Sequence, residues 1–263
     1  MNSAAEATTT LGHSILGHSI LGQSILGQSI LERSIDPLEH VDYRRADTAE
    51  EKDEIYRLRY RAYLREGAIL ASESERVTDR YDDLPNNFTF GIYIRGELHS
   101  SIRISVLTSE WRGSPSSEMF ADLLHPELER GRIIIDPTRF VADPEKARKY
   151  PELPYVTVRL GYVACAYFNA HIGLANVRPE HRAFYRKVFL QEPWGAPKLY
   201  PGLIKPVGLM AAKYPEIRES VFQRFPFMRS SAFERRMLFE RPGKQPLLST
   251  DDDVSRYERL QQG

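Results

Sequence analysis

The sequence predicts an α/β (α+β) fold: a mixed, mostly antiparallel twisted sheet flanked by helices. Three observations lead there. Residues 88–107 alternate apolar and polar on either side of Arg95-Gly96-Glu97, the pattern of a hairpin. Residues 154–172 are mostly apolar at helical spacing, the pattern of a core helix. Between them, Ile133-Ile134-Ile135 reads as a strand buried on both faces.

The folded domain is expected over residues 41–242. Asp47 and Thr48 can cap a helix, and Glu51, three residues after Thr48, completes a capping box. Ile55, Leu58 and Ala62 then recur at helical spacing, so the helix should run from about Ala49 to Arg65. Residues 66–87 form a polar loop that ends in Pro85-Asn86-Asn87. The first hairpin strand sets Phe88, Phe90, Ile92 and Ile94 on one face. The second sets Ile102, Ile104 and Val106 on one face and Ser101, Arg103 and Ser105 on the other. A short helix near Ser117–Leu124 precedes the strand Arg132–Asp136, which Pro137 should halt. After the core helix come a short strand in LANVRP, a short basic helix in EHRAFYRKVF, two strands within 194–210 around Tyr200-Pro201-Gly202, and a helix over 215–225.

The two ends are set apart. Residues 11–35 read LGHSI LGHSI LGQSI LGQSI LERSI, a period of five. Five residues turn a helical face by ~140° and flip a strand's face, so neither geometry gives a constant apolar stripe. Residues 1–40 are therefore expected to be a disordered low-complexity tail, and the polar residues 243–263 a loose C-terminal tail.

Composition narrows the function. The 263 residues are 41% hydrophobic and 27% charged, enough apolar content for a folded core. Lys+Arg and Asp+Glu balance at 36 each, so nothing global argues for nucleic acid or an acidic membrane. The single cysteine, Cys165, rules out an internal disulfide framework and fits a reducing cytoplasm. No apolar run is long enough to span a bilayer, and the first ten residues lack the basic region of a signal peptide. The seven histidines show no metal-binding spacing, and neither a Walker loop nor a Rossmann glycine fingerprint is present.

Four polar features stand in apolar frames. Arg59 and Tyr63 are one helical turn apart. Asp79 and Asp82 flank Tyr81 in DRYDD, and two carboxylates so spaced can hold a cation, an arginine or a substrate amine. Arg103 opposes Ile102 and Ile104 on its strand, and Asp136 with Arg139 closes the triple-Ile strand. Singly, each has an ordinary reading as a solvated turn or a structural ion pair. Together, in order and at the ends of elements, they form one signal.

That order resembles the autoinducer-synthase-like branch of the GNAT acyltransferase superfamily. The matching segments are LRYRAY (58–63), DRYD (79–82), SIR (101–103) and DPTRF (136–140), and the resemblance spans about residues 50–190. HRAFYRKVF (181–189), YPGLIKPV (200–207) and RFPFMRSSAFERR (224–236) are similar to the long-chain N-acyl amino acid synthases of that branch. Acyl-homoserine-lactone synthases have Glu where this chain has Asp136, and Trp where it has Ile69. Both departures favour the amino-acid-acylating relatives.

The resemblance implies transfer of an acyl group from a thioester to an amine, with a splayed strand offering backbone N–H groups to the thioester oxygen. Asp136 is then the candidate base, working through water, with Arg139 beside it in the catalytic set. Arg139 and Arg103 would bind the acceptor carboxylate or organise the carboxylates around it. Asp79 and Asp82 would hold the acceptor ammonium or lock the first helix through Arg59. Arg59, Tyr63, Asp79, Asp82 and Arg103 thus form the expected substrate-binding set. Phe88, Phe90, Tyr93, Phe140, Tyr162 and Phe168 are candidates for an acyl tunnel, though core packing explains them equally well. Cys165, between alanines in a core helix without a nearby histidine, reads as a structural thiol rather than a nucleophile.

No cofactor is expected to be bound. CoA-using GNAT proteins follow the central strand with a glycine-containing pyrophosphate cradle, whereas this chain reads FVADPEKARKYPELPY there. The expected donor is therefore the acyl-phosphopantetheine of acyl carrier protein rather than acyl-CoA. Arg178, Arg182, Arg186 and Lys187 are the candidate docking face for that acidic partner, with an ordinary solvated helix as the plain alternative. Two rival readings stand beside the N-acyl amino acid synthase. One is an acyl-homoserine-lactone-type synthase using S-adenosylmethionine. The other is a non-catalytic acyl-chain or carrier-protein binding module.

Overall fold

The computed structural model describes residues 37–200 and 202–241; both expected tails, apart from the turn at 37–40, lie outside them. Seven strands form one sheet: β1 Val41–Arg45, β2 Asn87–Ile94, β3 Glu97–Leu107, β4 Ile134–Ala142, β5 Ile172–Val177, β6 Glu192–Leu199 and β7 Pro206–Lys213, in the order β1-β2-β3-β4-β5-β7-β6. Every neighbouring pair is antiparallel except β4 and β5, which run parallel. The helices are α1 Ala49–Arg65, α2 Pro115–Met119, α3 Ala121–Glu129, α4 Pro144–Lys149, α5 Leu153–Tyr167, α6 Arg182–Phe189, α7 Tyr214–Arg224 and α8 Ala232–Phe239.

Local chemistry sets the main elements. The Thr48 side chain accepts from the Glu51 N–H and the Glu51 carboxylate reaches back to the Thr48 N–H, so α1 starts where its capping box dictates. Arg95 and Gly96 both have positive φ, which lets two residues close the β2–β3 hairpin. The apolar faces of β2 and β3 pack with α5 and with Phe239 of α8 in the main core. The opposite face, with Arg103 and Ser105, is buried as well, and α1 packs on that side through Ile55, Leu58 and Ala62. α2 and α3 continue this layer over Leu107, Ile134, Ile172 and Leu174.

Five features differ from the sequence reading, one of them the short helix α4, which Asp143 caps. β1 was not foreseen: it is a short edge strand pairing with β2, and its burial alternates along only five residues. The short helix near Ser117–Leu124 is two helices, α2 and α3, joined at Phe120. α8 is an additional helix, tied to α5 by the buried Arg159, whose guanidinium binds Glu234 and the carbonyls of Phe227 and Arg229. Finally, Pro137 does not halt β4. It pairs opposite Ile104 of β3, while the β5 edge of β4 is paired only as far as Ile135, so the missing N–H disrupts no β4–β5 pairing there. The strand then continues through a bulge, Arg139 taking φ +54 between the Thr138–Arg103 and Val141–Ser101 pairs.

Candidate active site

The parallel pairing of β4 and β5 consists of Ile134 with Ile172 and Ile135 with Gly173. Beyond these the strands diverge, and a cavity of about 620 Å³ occupies the opening. Part of its wall is apolar, built from Ile135 and Pro137 of β4, Val158, Gly161 and Tyr162 of α5, and Phe189 of α6. Gly161 is there because the helix passes close to the strand: a Cβ would lie 3.1 Å from the Pro137 ring. Another part of the wall is polar, with Arg139, Tyr63, Glu66, Asn176, Arg178, His181 and Tyr200.

Behind that polar part lies a chain of buried ion pairs. Arg59 donates to both oxygens of Asp82 (2.8 and 3.0 Å). Arg103 donates to Asp82 (3.0 Å), to Asp79 (2.5 Å) and to the Thr138 hydroxyl (3.1 Å). Arg139 grips Asp79 Oδ2 through Nε and Nη2 (3.0 and 2.6 Å). Burial would raise the Asp79 pKa, but Arg103 and Arg139 outweigh it and hold the carboxyl at about 2. The result is a rigid mount for Arg139, a residue of the cavity wall whose buried Nη1 has no hydrogen-bond partner. Tyr63 and Tyr200 face the same guanidinium at 5.8 and 5.1 Å from ring centre to Cζ.

Asp136 is fully buried and does not itself line the cavity. Asn176, which does, donates from Nδ2 to Asp136 Oδ1 (3.1 Å) and to the Ser116 hydroxyl (2.6 Å). Asp136 Oδ2 has no hydrogen-bond partner. Burial raises the Asp136 pKa, and the nearby Ser116 and Ser114 hydroxyls and Arg103 charge oppose this without cancelling it. At the cavity wall, Glu66 binds Arg178 (3.0 Å), and Arg178 Nη2 lies 3.3 Å from His181 Nε2. Burial, and then the Arg178 charge, pushes the His181 pKa down to about 4, so the ring is neutral at pH 7. With Nε2 accepting from Arg178, the proton sits on Nδ1, which has no partner.

The structure brings the motif residues together but divides their positions. Of the expected substrate-binding set, only Tyr63 reaches the cavity wall. Arg59, Asp79, Asp82 and Arg103 stand behind it, their charges engaged with one another. The expected docking residues also separate. Arg186 and Lys187 face solvent, whereas Arg178 belongs to the cavity wall and Arg182 lies over Gly208 of β7. Among the expected tunnel aromatics, Phe140 and Tyr162 line the cavity. Phe88, Phe90 and Phe168 belong to the main core, and Tyr93 packs toward α1 with its hydroxyl on Glu54. Glu66, Asn176, His181 and Tyr200 are wall residues without a distinctive sequence spacing. Cys165 is buried, with its thiol pKa pushed up, as a structural thiol would be. No cluster of metal-binding side chains and no helix long and apolar enough to cross a membrane occurs among the described residues.

The open sheet with its splayed parallel pair is GNAT-like, and the family to which the chain belongs is one of N-acyltransferases. The model of the N-acyl amino acid synthase FeeM family matches residues 54–213, and the chain belongs to that family. Its fold is similar to that of FeeM, an N-acyl amino acid synthase from uncultured soil microbes, with a TM-score of 0.58 at 18% identity over 70% of this chain and 96% of that one. It is also similar to BjaI, a CoA-dependent acyl-homoserine lactone synthase, with a TM-score of 0.52 at 15% identity over 84% of this chain and 99% of that one. No curated protein matches the chain significantly.

Proposed function

We propose that this N-acyltransferase moves a fatty acyl chain from the phosphopantetheine of acyl carrier protein to the α-amine of an amino acid, in the cytoplasm. The observation that carries the reading is the cavity in the β4–β5 opening, its wall apolar where an alkyl chain would lie and polar where an amine would meet the thioester. The unpaired Nη1 of Arg139 is a fixed donor for the acceptor carboxylate. The open edge of β4 beyond Ile135 supplies backbone N–H groups for the thioester oxygen as the tetrahedral oxyanion forms. The attacking amine must lose a proton. Asp136 takes it through water, since the side chain lies behind Asn176 and its Oδ2 is free. Burial raises its proton affinity above that of a solvated carboxylate. Collapse of the intermediate forms the amide and releases the carrier thiol.

The absence of a glycine cradle after β4 supports carrier protein as donor, while CoA dependence in BjaI makes acyl-CoA the arm to compare. The test is one assay. The purified chain is given acyl carrier protein or CoA loaded with the same acyl chains, together with free amino acids and S-adenosylmethionine, and products are read by mass spectrometry. An N-acyl amino acid formed from the carrier-protein arm is expected. A homoserine lactone, or turnover with CoA alone, overturns the acceptor or the donor assignment respectively. Asp136→Asn is expected to lower kcat by about 10²–10⁴-fold while leaving folding intact. Turnover at the parental rate would remove Asp136 from the mechanism.

A further inference from the structure

Cys165 and Tyr214 line the main cavity, and a second cavity of about 360 Å³ is lined by the same two residues. The two cavities differ in character. Tyr162, Ala212 and Ile217 line the first beside these two residues; around the second stand Asn169, the arginines 218, 229 and 235, and Glu219, which pairs with Arg218 and Arg229. Cys165 and Tyr214 therefore stand between a largely apolar space and one lined by charged and polar groups. Opposite Cys165 lies Gly173, where a Cβ would approach the sulfur to 3.5 Å, so α5 and β5 meet here through one small side chain facing none. Tyr214 is held in place by its N–H on the His171 carbonyl (3.0 Å) and by edge contact with Tyr162 at 5.8 Å between ring centres.

Geometry also fixes where this pair stands. The β4–β5 opening widens from Gly173 toward Val177, so the polar wall with Arg178 and His181 lies at one end of β5 and the partition at the other, ~16 Å away by strand rise. An alkyl chain whose thioester sits at the polar wall points its methyl end at Cys165 and Tyr214. A chain one step too long meets these two side chains and, past them, an ion-paired cluster of Arg218, Glu219 and Arg229 that an apolar terminus gains nothing by reaching.

Resting on the acyltransferase reading, we infer that Cys165 and Tyr214 form the floor of the acyl site and set the longest chain that the enzyme accepts. The test uses the full chain and two readouts. One is displacement of a bound fluorescent fatty acid by free fatty acids from octanoate to stearate. The other is transfer from acyl donors of the same lengths. In the parent, affinity rises about four-fold per methylene and then stops rising at a limiting length. Cys165→Ala is expected to move that limit to longer chains. Cys165→Leu is expected to move it to shorter ones, weakening the longest parental ligand by at least about ten-fold. Should the leucine variant melt early, Tyr214→Leu, which opens the partition from the other side, replaces it and is expected to lengthen the limit. The same limiting length in parent and folded variants overturns the floor. So does a parent that binds none of the fatty acids. A limit that shifts in binding, in a protein that transfers no acyl group, supports the floor and refutes the transferase reading instead.

Discussion

At the scale of single residues, Arg139 carries the most. It is the bulge residue of β4, it has left-handed backbone geometry, and two of its nitrogens are committed to Asp79 while the third, Nη1, is buried without a partner. Lysine keeps the charge but not the fork, so Arg139→Lys is expected to lower kcat/KM at least ten-fold, chiefly by raising KM for the acceptor amine. Steady-state kinetics with varied amine check this. His181 gives a pH signature. Its folded pKa of about 4 lies below the ordinary 6.5, so the unfolded chain binds the extra proton between those values. The stability this group contributes is complete above pH 6.5 and is lost as the pH falls toward 4. His181→Gln is expected to flatten that part of the profile, measured as urea midpoints at pH 7 and pH 5. The ordered motif of Arg59, Asp79, Asp82, Arg103 and Arg139 was legible in the sequence because each residue interrupts a recognisable apolar frame. His181 and Glu66 were not, because their place in the wall depends on how far β4 and β5 separate, which no spacing along the chain records.

At the scale of elements, α1 was legible to the residue because a capping box is local chemistry, and the β2–β3 hairpin because alternation and a two-residue turn suffice. β4 was cut short in the sequence reading because proline's cost depends on whether its N–H has a strand to face, which is a tertiary fact. α8 was missed for a related reason. Phe233 and Met237 are exposed on it, so its apolar pattern is diluted, and its attachment comes from Arg159 on α5. That guanidinium is almost wholly buried and binds one carboxylate and two carbonyls. Arg159→Ala is expected to cost about 2–3 kcal/mol, because it leaves the Phe227 and Arg229 carbonyls without their donor, while the partly exposed Glu234 turns to solvent. Chemical denaturation of the variant against the parent measures it.

At the scale of the whole molecule, the sheet is two pieces of fabric joined by a very short seam. β1 to β4 form one piece and β5, β7 and β6 the other, and the residue pairs joining them are Ile134 with Ile172 and Ile135 with Gly173. A ligand lying in the opening touches both sides at once and lengthens the seam. Its binding energy then adds directly to cohesion, about 2.7 kcal/mol at a hundred times its Kd. A calorimetric scan with excess long-chain fatty acid is expected to show a raised melting temperature, and an unchanged one would mean that the native protein does not bind it. The gap that admits the acyl chain is thus also where the empty protein is least stitched, and a loaded enzyme carries its substrate as a temporary thread.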